Sequence, residues 1–286
     1  MTNDFCIYVI SHQRSGRVHT IGALRRAGYT GPIRVVVDDK DPELDEYREE
    51  FGEDLLVFSK DDYEDRIDLA DNEEGQQTPL YVRESCWDFA EEMGLTYFCV
   101  MDDYYDWFGH RIGPRGQYLS STFWVKDMDS ILDAFVEYMK DAPITSIAFS
   151  QGGDWIGGEG NTYGGLAAKR KVMNSFVLST ERRFTYKGRL NDDVNTYVLL
   201  GSRGQVFLTY MPVQLNQGHT QEQAGGITEE YLRFGTYAKS FYTVMMAPSC
   251  TTVTVMGESN LRPHHRVSWR HAVPKIVPEK HRKADS

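Results

Sequence analysis

Residues 95–109 read LTYFCVMDDYYDWFG. An apolar, β-forming run, Tyr97 to Met101, stops at two adjacent carboxylates, Asp102 and Asp103, and Asp106 follows within one turn. Crowded carboxylates repel, so a fold that gathers them needs a cation, a counter-ion or solvent there. Read alone, Asp-Asp after a strand is a polar turn. Its meaning depends on what else the fold brings to the same strand end.

Working outward, the stretch is one of a series of alternating patterns. "FCIYVIS" (5–11), "IRVVVDD" (33–39), "DLLVFS" (54–59) and "LTYFCVM" (95–101) read as short buried strands. Between them lie helical stretches: Val18–Ala27 stopped by Gly28, one opened by Asp41-Pro42, and Leu80–Met93 closed by Gly94. Strand–helix alternation at this spacing implies βαβ units and a parallel sheet. After residue 103 the pattern becomes mixed. Strands are expected in "ITSIAFSQ", "KVMNSFVLS", "GQVFLTYMPVQL" and "TTVTVMGES", with helices near Asp127, Asp192–Leu200 and Thr228–Ser240. The expectation is one α/β domain over 1–275, with a mixed, mainly parallel central sheet. Residues 1–103 form its parallel half, 104–275 a mixed, more antiparallel half, and 276–286 a flexible basic tail.

The totals fit that size. The chain has 286 residues, 41% apolar and 26% charged, as in a soluble globular protein. No run approaches the ~18 apolar residues of a membrane helix, and the N-terminal apolar run is too short for a signal peptide. A cytoplasmic protein with no membrane partner is expected. The four cysteines, Cys6, Cys86, Cys99 and Cys250, match no zinc spacing and are expected as free thiols. Net charge is −11, which argues against nonspecific coating of nucleic acid. Acids crowd 38–74, whereas Arg262, Arg266, Arg270, Lys275, Lys280, Arg282 and Lys283 make the C-terminal segment basic and able to meet a polyanion.

Ligands of open α/β sheets bind beyond the carboxyl ends of the strands. Three such ends carry chemistry here: Ser11 and Arg14 after the first strand, Asp38 after the second, and Asp102-Asp103 after the fourth. Hydroxyl, guanidinium and carboxylate groups converging on one edge suit a nucleoside diphosphate held with Mg²⁺ or Mn²⁺. Arg83, on the preceding helix, either neutralises that diphosphate or snorkels from the surface. In "GRLNDDVNTY" (188–197), Asn191, Asp192 and Asp193 either cap a helix or supply a general base. His219, in a glycine-containing loop, is a candidate metal ligand, and His264, His265 and His271 are further imidazoles. Gly152, Gly153, Asp154 and Trp155 open a glycine-rich loop suited to close approach of a substrate. No Walker A sequence, G-x-S-x-G elbow or G-x-G-x-x-G fingerprint occurs, which weakens the NTPase, hydrolase and NAD-enzyme readings.

This order of parts resembles the GT-A class of nucleotide-sugar-dependent glycosyltransferases. More specifically, "YVISHQRSGRV", "YVRESCWDFAEEMGLTYFCVMDDYYDW", "KVMNSFVL" and "GRLNDDVNTYVLLGSRGQVFLT" resemble the TET-associated glycosyltransferases of bacteriophages. The resemblance runs from about residue 5 to about 215. It implies a GT-A-like fold and transfer from a UDP-sugar to the hydroxymethyl group of a modified pyrimidine, 5-hydroxymethylcytosine, in phage DNA inside the host cell. It further implies Asp103 and His219 on Mn²⁺ or Mg²⁺, and Ser11, Arg14, Asp38, Arg83 and Asp102 on the donor. Gly153 and Asp154 would lie in a substrate loop, and Asp193 with Asp192 would be the catalytic pair. Two features depart from the pattern: the metal motif is Met101-Asp102-Asp103 rather than three acids, and Asp192 stands where Glu is expected. A glycan or protein acceptor, or a noncatalytic nucleotide-sugar-binding module, are the alternatives.

Overall fold

The computed structural model describes residues 4–72, 75, 77–155, 166–167, 175–217, 228–256 and 261–272. The first half runs β1 (Phe5–Ile10), α1 (His19–Arg26), β2 (Ile33–Asp38), α2 (Leu44–Phe51), β3 (Leu55–Phe58), α3 (Leu80–Glu92) and β4 (Tyr97–Asp102). The second runs β5 (Tyr105–Ile112), β6 (Tyr118–Trp124), α4 (Met128–Asp141), β7 (Ser146–Gln151), β8 (Leu166–Ala167), β9 (Ser175–Ser179), α5 (Asp192–Ser202) and β10 (Phe207–Gln217). It ends with α6 (Thr228–Met246), β11 (Thr251–Met256), β12 (Arg262–Val267) and α7 (Trp269–Ala272).

The main sheet has the order β3-β2-β1-β4-β9-β7-β10-β5-β6, with β8 on β10. Its β3-β2-β1-β4 half is parallel throughout. Beyond it, β9 runs antiparallel between β4 and β7, and β5 and β6 form an antiparallel hairpin at the far edge. This is the α/β class and mixed sheet that the sequence patterns imply.

β1 explains the continuous apolar runs. Phe5, Ile7 and Val9 face the layer of α1 and α4, among Leu24, Leu132 and Phe135. Cys6, Tyr8 and Ile10 face the layer of α3 and α5, among Trp87, Phe98 and Val198. A strand covered on both faces has no polar side to alternate. Trp87, fully buried, meets Phe98 and Phe184 edge-to-face at 5.0 and 5.4 Å. Burial of one such side chain contributes about 1.5–3 kcal/mol. All four cysteines are free and buried.

The helix signals are accurate to a residue or two except at α6, which runs to Met246 rather than Ser240, and at α2. Asp41-Pro42 does not open α2, which starts at Leu44. The Asp41 carboxylate instead accepts the Glu43 and Gln13 N–H groups and meets His12 Nδ1 at 2.7 Å, so it ties two loops together. Gly28 is obligatory: its φ is +87°, and a Cβ there would lie 2.1 Å from the Lys126 carbonyl oxygen. α6 is broken at Gly235, whose φ is 70°. Among the described residues no helix is long and apolar enough to cross a membrane.

Candidate active site

Strand alternation splits the acid pair. Val100 faces the α3 side and Met101 the α1 side, so the pleat sends Asp102 toward α3 and Asp103 toward the loop after β1. Asp103 is buried, at 2% exposure. Its two oxygens accept from Ser11 Oγ at 2.6 Å and from an Arg14 NH group at 2.7 Å. Burial raises its pKa, against the pull of Arg14 and the Ser11 hydroxyl. Tyr47, from α2, completes the unit: its hydroxyl lies 2.7 Å from Ser11 Oγ and accepts the Arg14 N–H at 2.9 Å. Sequence reasoning did not find Tyr47, whose only signal was an aromatic at a core-facing helix position.

Asp102 meets the other arginine. Arg83 sits on the inward face of α3, one turn after Leu80 and one before Trp87, so it is buried at 3% exposure rather than snorkelling. Its guanidinium lies 3.4 Å from Asp102 and 2.9 Å from Asp192, and over the rings of Phe176 and Tyr186. Tyr104 donates its hydroxyl to the second Asp102 oxygen at 3.0 Å. Burial pushes Asp102 up to about 6, with Arg83 opposing and Asp103 adding to the rise. Asp192 is likewise pushed up to about 6 by burial, against Arg83 and with help from Asp193 and Asp102. Burial alone would lower the Arg83 pKa, but Asp192 and Asp102 outweigh it and hold the guanidinium charged.

The acid pair at 192–193 opens α5, and the capping alternative does not hold as expected. The N-cap is Asn191, in the left-handed region at φ 57°, and its side chain does not cap the helix. It donates to the Lys239 carbonyl at 2.6 Å and to Thr243 Oγ1 at 3.2 Å, and lies 3.5 Å from His265 Nδ1. Both carboxylates occupy the first turn, where the helix dipole favours negative charge. Asp192 is buried and paired with Arg83, whereas Asp193 is half-buried.

The remaining candidates are placed as follows. Asp38, buried, pairs with Lys60 Nζ at 2.5 Å and accepts the Lys40 N–H at 3.2 Å. Gly153 and Asp154 lie in a short 3₁₀ turn, Gly152–Trp155, where the buried Asp154 carboxylate accepts the Gln151 N–H at 3.0 Å. The charge of Asp154 is felt at Tyr197 on α5, which brings this turn toward the helix of the acid pair. Asp106 is exposed. His219, Lys275, Lys280, Arg282 and Lys283 lie outside the described residues. Among the described residues no three His, Cys, Asp or Glu side chains form a ready metal cage.

The structure therefore brings two groups together at one strand end: Ser11, Arg14, Tyr47 and Asp103, and Arg83, Asp102, Asp192 and Asp193. Ionised, four carboxylates face two guanidiniums, an excess of two negative charges. That excess is a charge a divalent cation could balance. Such ions bind through one or two carboxylates and keep further positions for water and phosphate.

Among solved structures, the chain resembles a mannosyltransferase from Pyrobaculum calidifontis, in complex with GDP-Man and Mn²⁺, at 11% identity and a TM-score of 0.48. The match covers 86% of this chain and 63% of that one, so the chain spans less than two thirds of its length. It also resembles glucosyl-3-phosphoglycerate synthase from Mycobacterium tuberculosis, in complex with Mg²⁺ and UDP, at 7% identity and a TM-score of 0.45, covering 92% and 87%. No curated protein matches the sequence. The family model of the TET-associated glycosyltransferases matches residues 5–226, more than three quarters of the sequence, and the chain belongs to that family.

Proposed function

We propose that this glycosyltransferase moves a sugar from a UDP-sugar to the hydroxymethyl group of 5-hydroxymethylcytosine in DNA, with Mn²⁺ or Mg²⁺ as cofactor. The observation that carries the reading is the convergence of Asp102, Asp103, Asp192 and Asp193 with Arg14 and Arg83 at the β4 end of the sheet. The family to which the chain belongs supports a DNA acceptor.

In this reading Asp103, joined by His219, would hold the metal, with Asp102 beside it on the donor or on a metal-bound water. When bound, the ion supplies Lewis-acid stabilisation to the departing diphosphate. Ser11, Arg14 and Tyr47 fix the Asp103 carboxylate, and with Asp38 their loops cradle the nucleoside. Arg83 keeps Asp102 and Asp192 ionised in a buried setting and adds positive charge beside the diphosphate. Asp192 is committed to Arg83, so Asp193 is the general base. It takes the proton of the hydroxymethyl group as that oxygen forms its bond to the anomeric carbon and the bond to UDP breaks. If the configuration at that carbon is retained, the same carboxylate orients the sugar instead. Gly153 and Asp154 would open a substrate loop.

The test is mass spectrometry of nucleosides after incubating hydroxymethylcytosine DNA with a panel of UDP-sugars and Mn²⁺. A sugar-bearing nucleoside is expected with at least one donor. Transfer only to a glycan or protein refutes the acceptor, and binding of UDP without any transfer refutes catalysis. Asp193→Asn is expected to keep UDP binding and lower the transfer rate by about 10²–10⁴-fold, as removal of a general base does.

A further inference from the structure

The β5–β6 hairpin at the sheet edge carries a feature the site does not use. Trp124 is 55% exposed on the edge strand. It is paired with Gly109, so it shares a sheet face with Trp107 and Arg111, two residues either side of Gly109. Gly109 puts no side chain between the indoles, and Trp107 and Trp124 meet edge-to-face at 5.5 Å. The Arg111 guanidinium lies 6.0 Å from the Trp107 ring centroid and is held by its Nε–H donating to Gln214 Oε1 at 2.7 Å. Phe123, 54% exposed, points to the opposite face.

The charge of this segment runs against that of the chain. Residues 104–126 hold Arg111, Arg115 and Lys126 against one acid, Asp106, in a protein of net charge −11. The hairpin also begins at the candidate active site: Trp107 is four residues beyond Asp103, at most ~13 Å of extended chain.

The geometry points to a docking surface for an unstacked DNA strand: bases stack on the Trp107–Trp124 face, and phosphates meet Arg111, Arg115 and Lys126. The exposed Trp124 indole takes any base, and Arg111 beside the rings, Arg115 in the hairpin turn and Lys126 two residues past Trp124 follow the backbone, which is how unpaired strands are bound without sequence preference. A neutral glycan stacks on indoles but offers nothing to three cations, so the local charge selects the polynucleotide. The assignment rests on the DNA-acceptor reading. It adds to that reading that the strand is held beside the reacting base, on one face of β5 and β6.

The experiment is fluorescence anisotropy of fluorescein-labelled single-stranded dT20, with the intact protein, no sugar donor and no modified base. Binding is expected in ~50 mM salt and to fall steeply at ~200 mM. Trp124→Ala is expected to weaken it by about 10-fold or more, the effect of losing a stacked base. Trp124→Phe should restore most of that loss, and Phe123→Ala, on the opposite face, should stay within about two-fold of wild type by the same stacking argument. Circular dichroism confirms folding of each variant. Equal binding by wild type and Trp124→Ala overturns the proposal, as does an equal loss in Phe123→Ala. A wild-type dimer in analytical ultracentrifugation that Trp124→Ala disperses also overturns it, because a second copy would then cover the face. Failure of the acceptor reading looks different: dT20 binding through Trp124 persists, while no hydroxymethylated DNA gains a sugar.

Discussion

Arg83→Met tests the electrostatic arrangement at the centre of the site. The guanidinium lies between Asp192 at 2.9 Å and Asp102 at 3.4 Å, and methionine fills much of its volume without charge. In the wild type both acids are pushed up to about 6. A carboxyl raised on folding stabilises the protein fully below its unfolded pKa, ~3.9, and that contribution is lost as pH rises through the folded value. Without Arg83 the folded values rise further, so the loss continues above pH 6, where the wild type has levelled off. Each acid then costs the variant about 1.4 kcal/mol per pH unit above 6. At pH 8 the gap between the two proteins reaches about 3–5 kcal/mol, depending on whether one or both acids take up a proton, which matches the usual cost of stripping one partner from a buried pair. Between pH 4.5 and 5.5 the acids are protonated in both proteins, and the gap is small and flat. Urea unfolding of both proteins at half-unit steps from pH 4.5 to 8 measures it. A gap that does not change with pH would refute the claim that Arg83 compensates these two carboxylates.

Tyr47→Phe leaves the Arg14 N–H and the Ser11 hydroxyl short of a partner, which costs about 1–3 kcal/mol in urea unfolding. It is also expected to raise KM for the donor more than it lowers kcat, because it acts through the Ser11–Arg14 loop. Asp102→Ala and Asp103→Ala are each expected to abolish Mn²⁺-dependent UDP binding in calorimetry, and unchanged binding removes that residue from the metal site. Arg189 is fully buried, with two contacts to Asp71 at 2.9 and 3.1 Å and one to the Gly75 carbonyl at 2.7 Å, while the Tyr242 hydroxyl also meets Asp71. Arg189→Met therefore leaves Asp71 without its counter-charge, with Tyr242 still donating to it, and should destabilise the fold by about 3 kcal/mol, seen as a lower urea midpoint.

The sequence made some of this legible and hid the rest for physical reasons. Apolar runs closed by Gly28 and Gly94 marked α1, α3 and the strands between them, because glycine takes the left-handed backbone there, at φ +87° and +68°, without a steric penalty. The rule that ligands gather at strand carboxyl ends grouped Ser11, Arg14 and Asp103, which hydrogen bonds do join although they are about 90 residues apart, and also Asp38, which pairs with Lys60 and accepts the Lys40 N–H instead. Arg83 was ambiguous because a helical arginine reads the same whether it points in or out. Only its spacing from Leu80 and Trp87 shows that it faces the core. Asp41-Pro42 misled because the same residues that start helices also pin loops, and here the loop contact to Gln13 and His12 won. Tyr47, Tyr104 and the Asp71–Arg189–Tyr242 group were invisible because each depends on long-range pairing, which leaves no periodic trace. Trp107 and Trp124 read as strand residues, and only the register β5–β6 puts them on one face.

The anchoring of Asn191 has a consequence for where this protein can be cut. The residue that begins the helix of the acid pair lies inside the segment matched to the family, 5–226. Its amide, however, is held by Lys239 and Thr243 on α6 and lies against His265 on β12, all beyond that segment. A left-handed backbone at a non-glycine residue costs energy and persists only where its surroundings enforce it. The stretch a family shares by descent and the stretch that works as one mechanical unit are therefore different lengths here. A version trimmed to the family boundary would keep every candidate catalytic carboxylate and lose the brace that aims two of them.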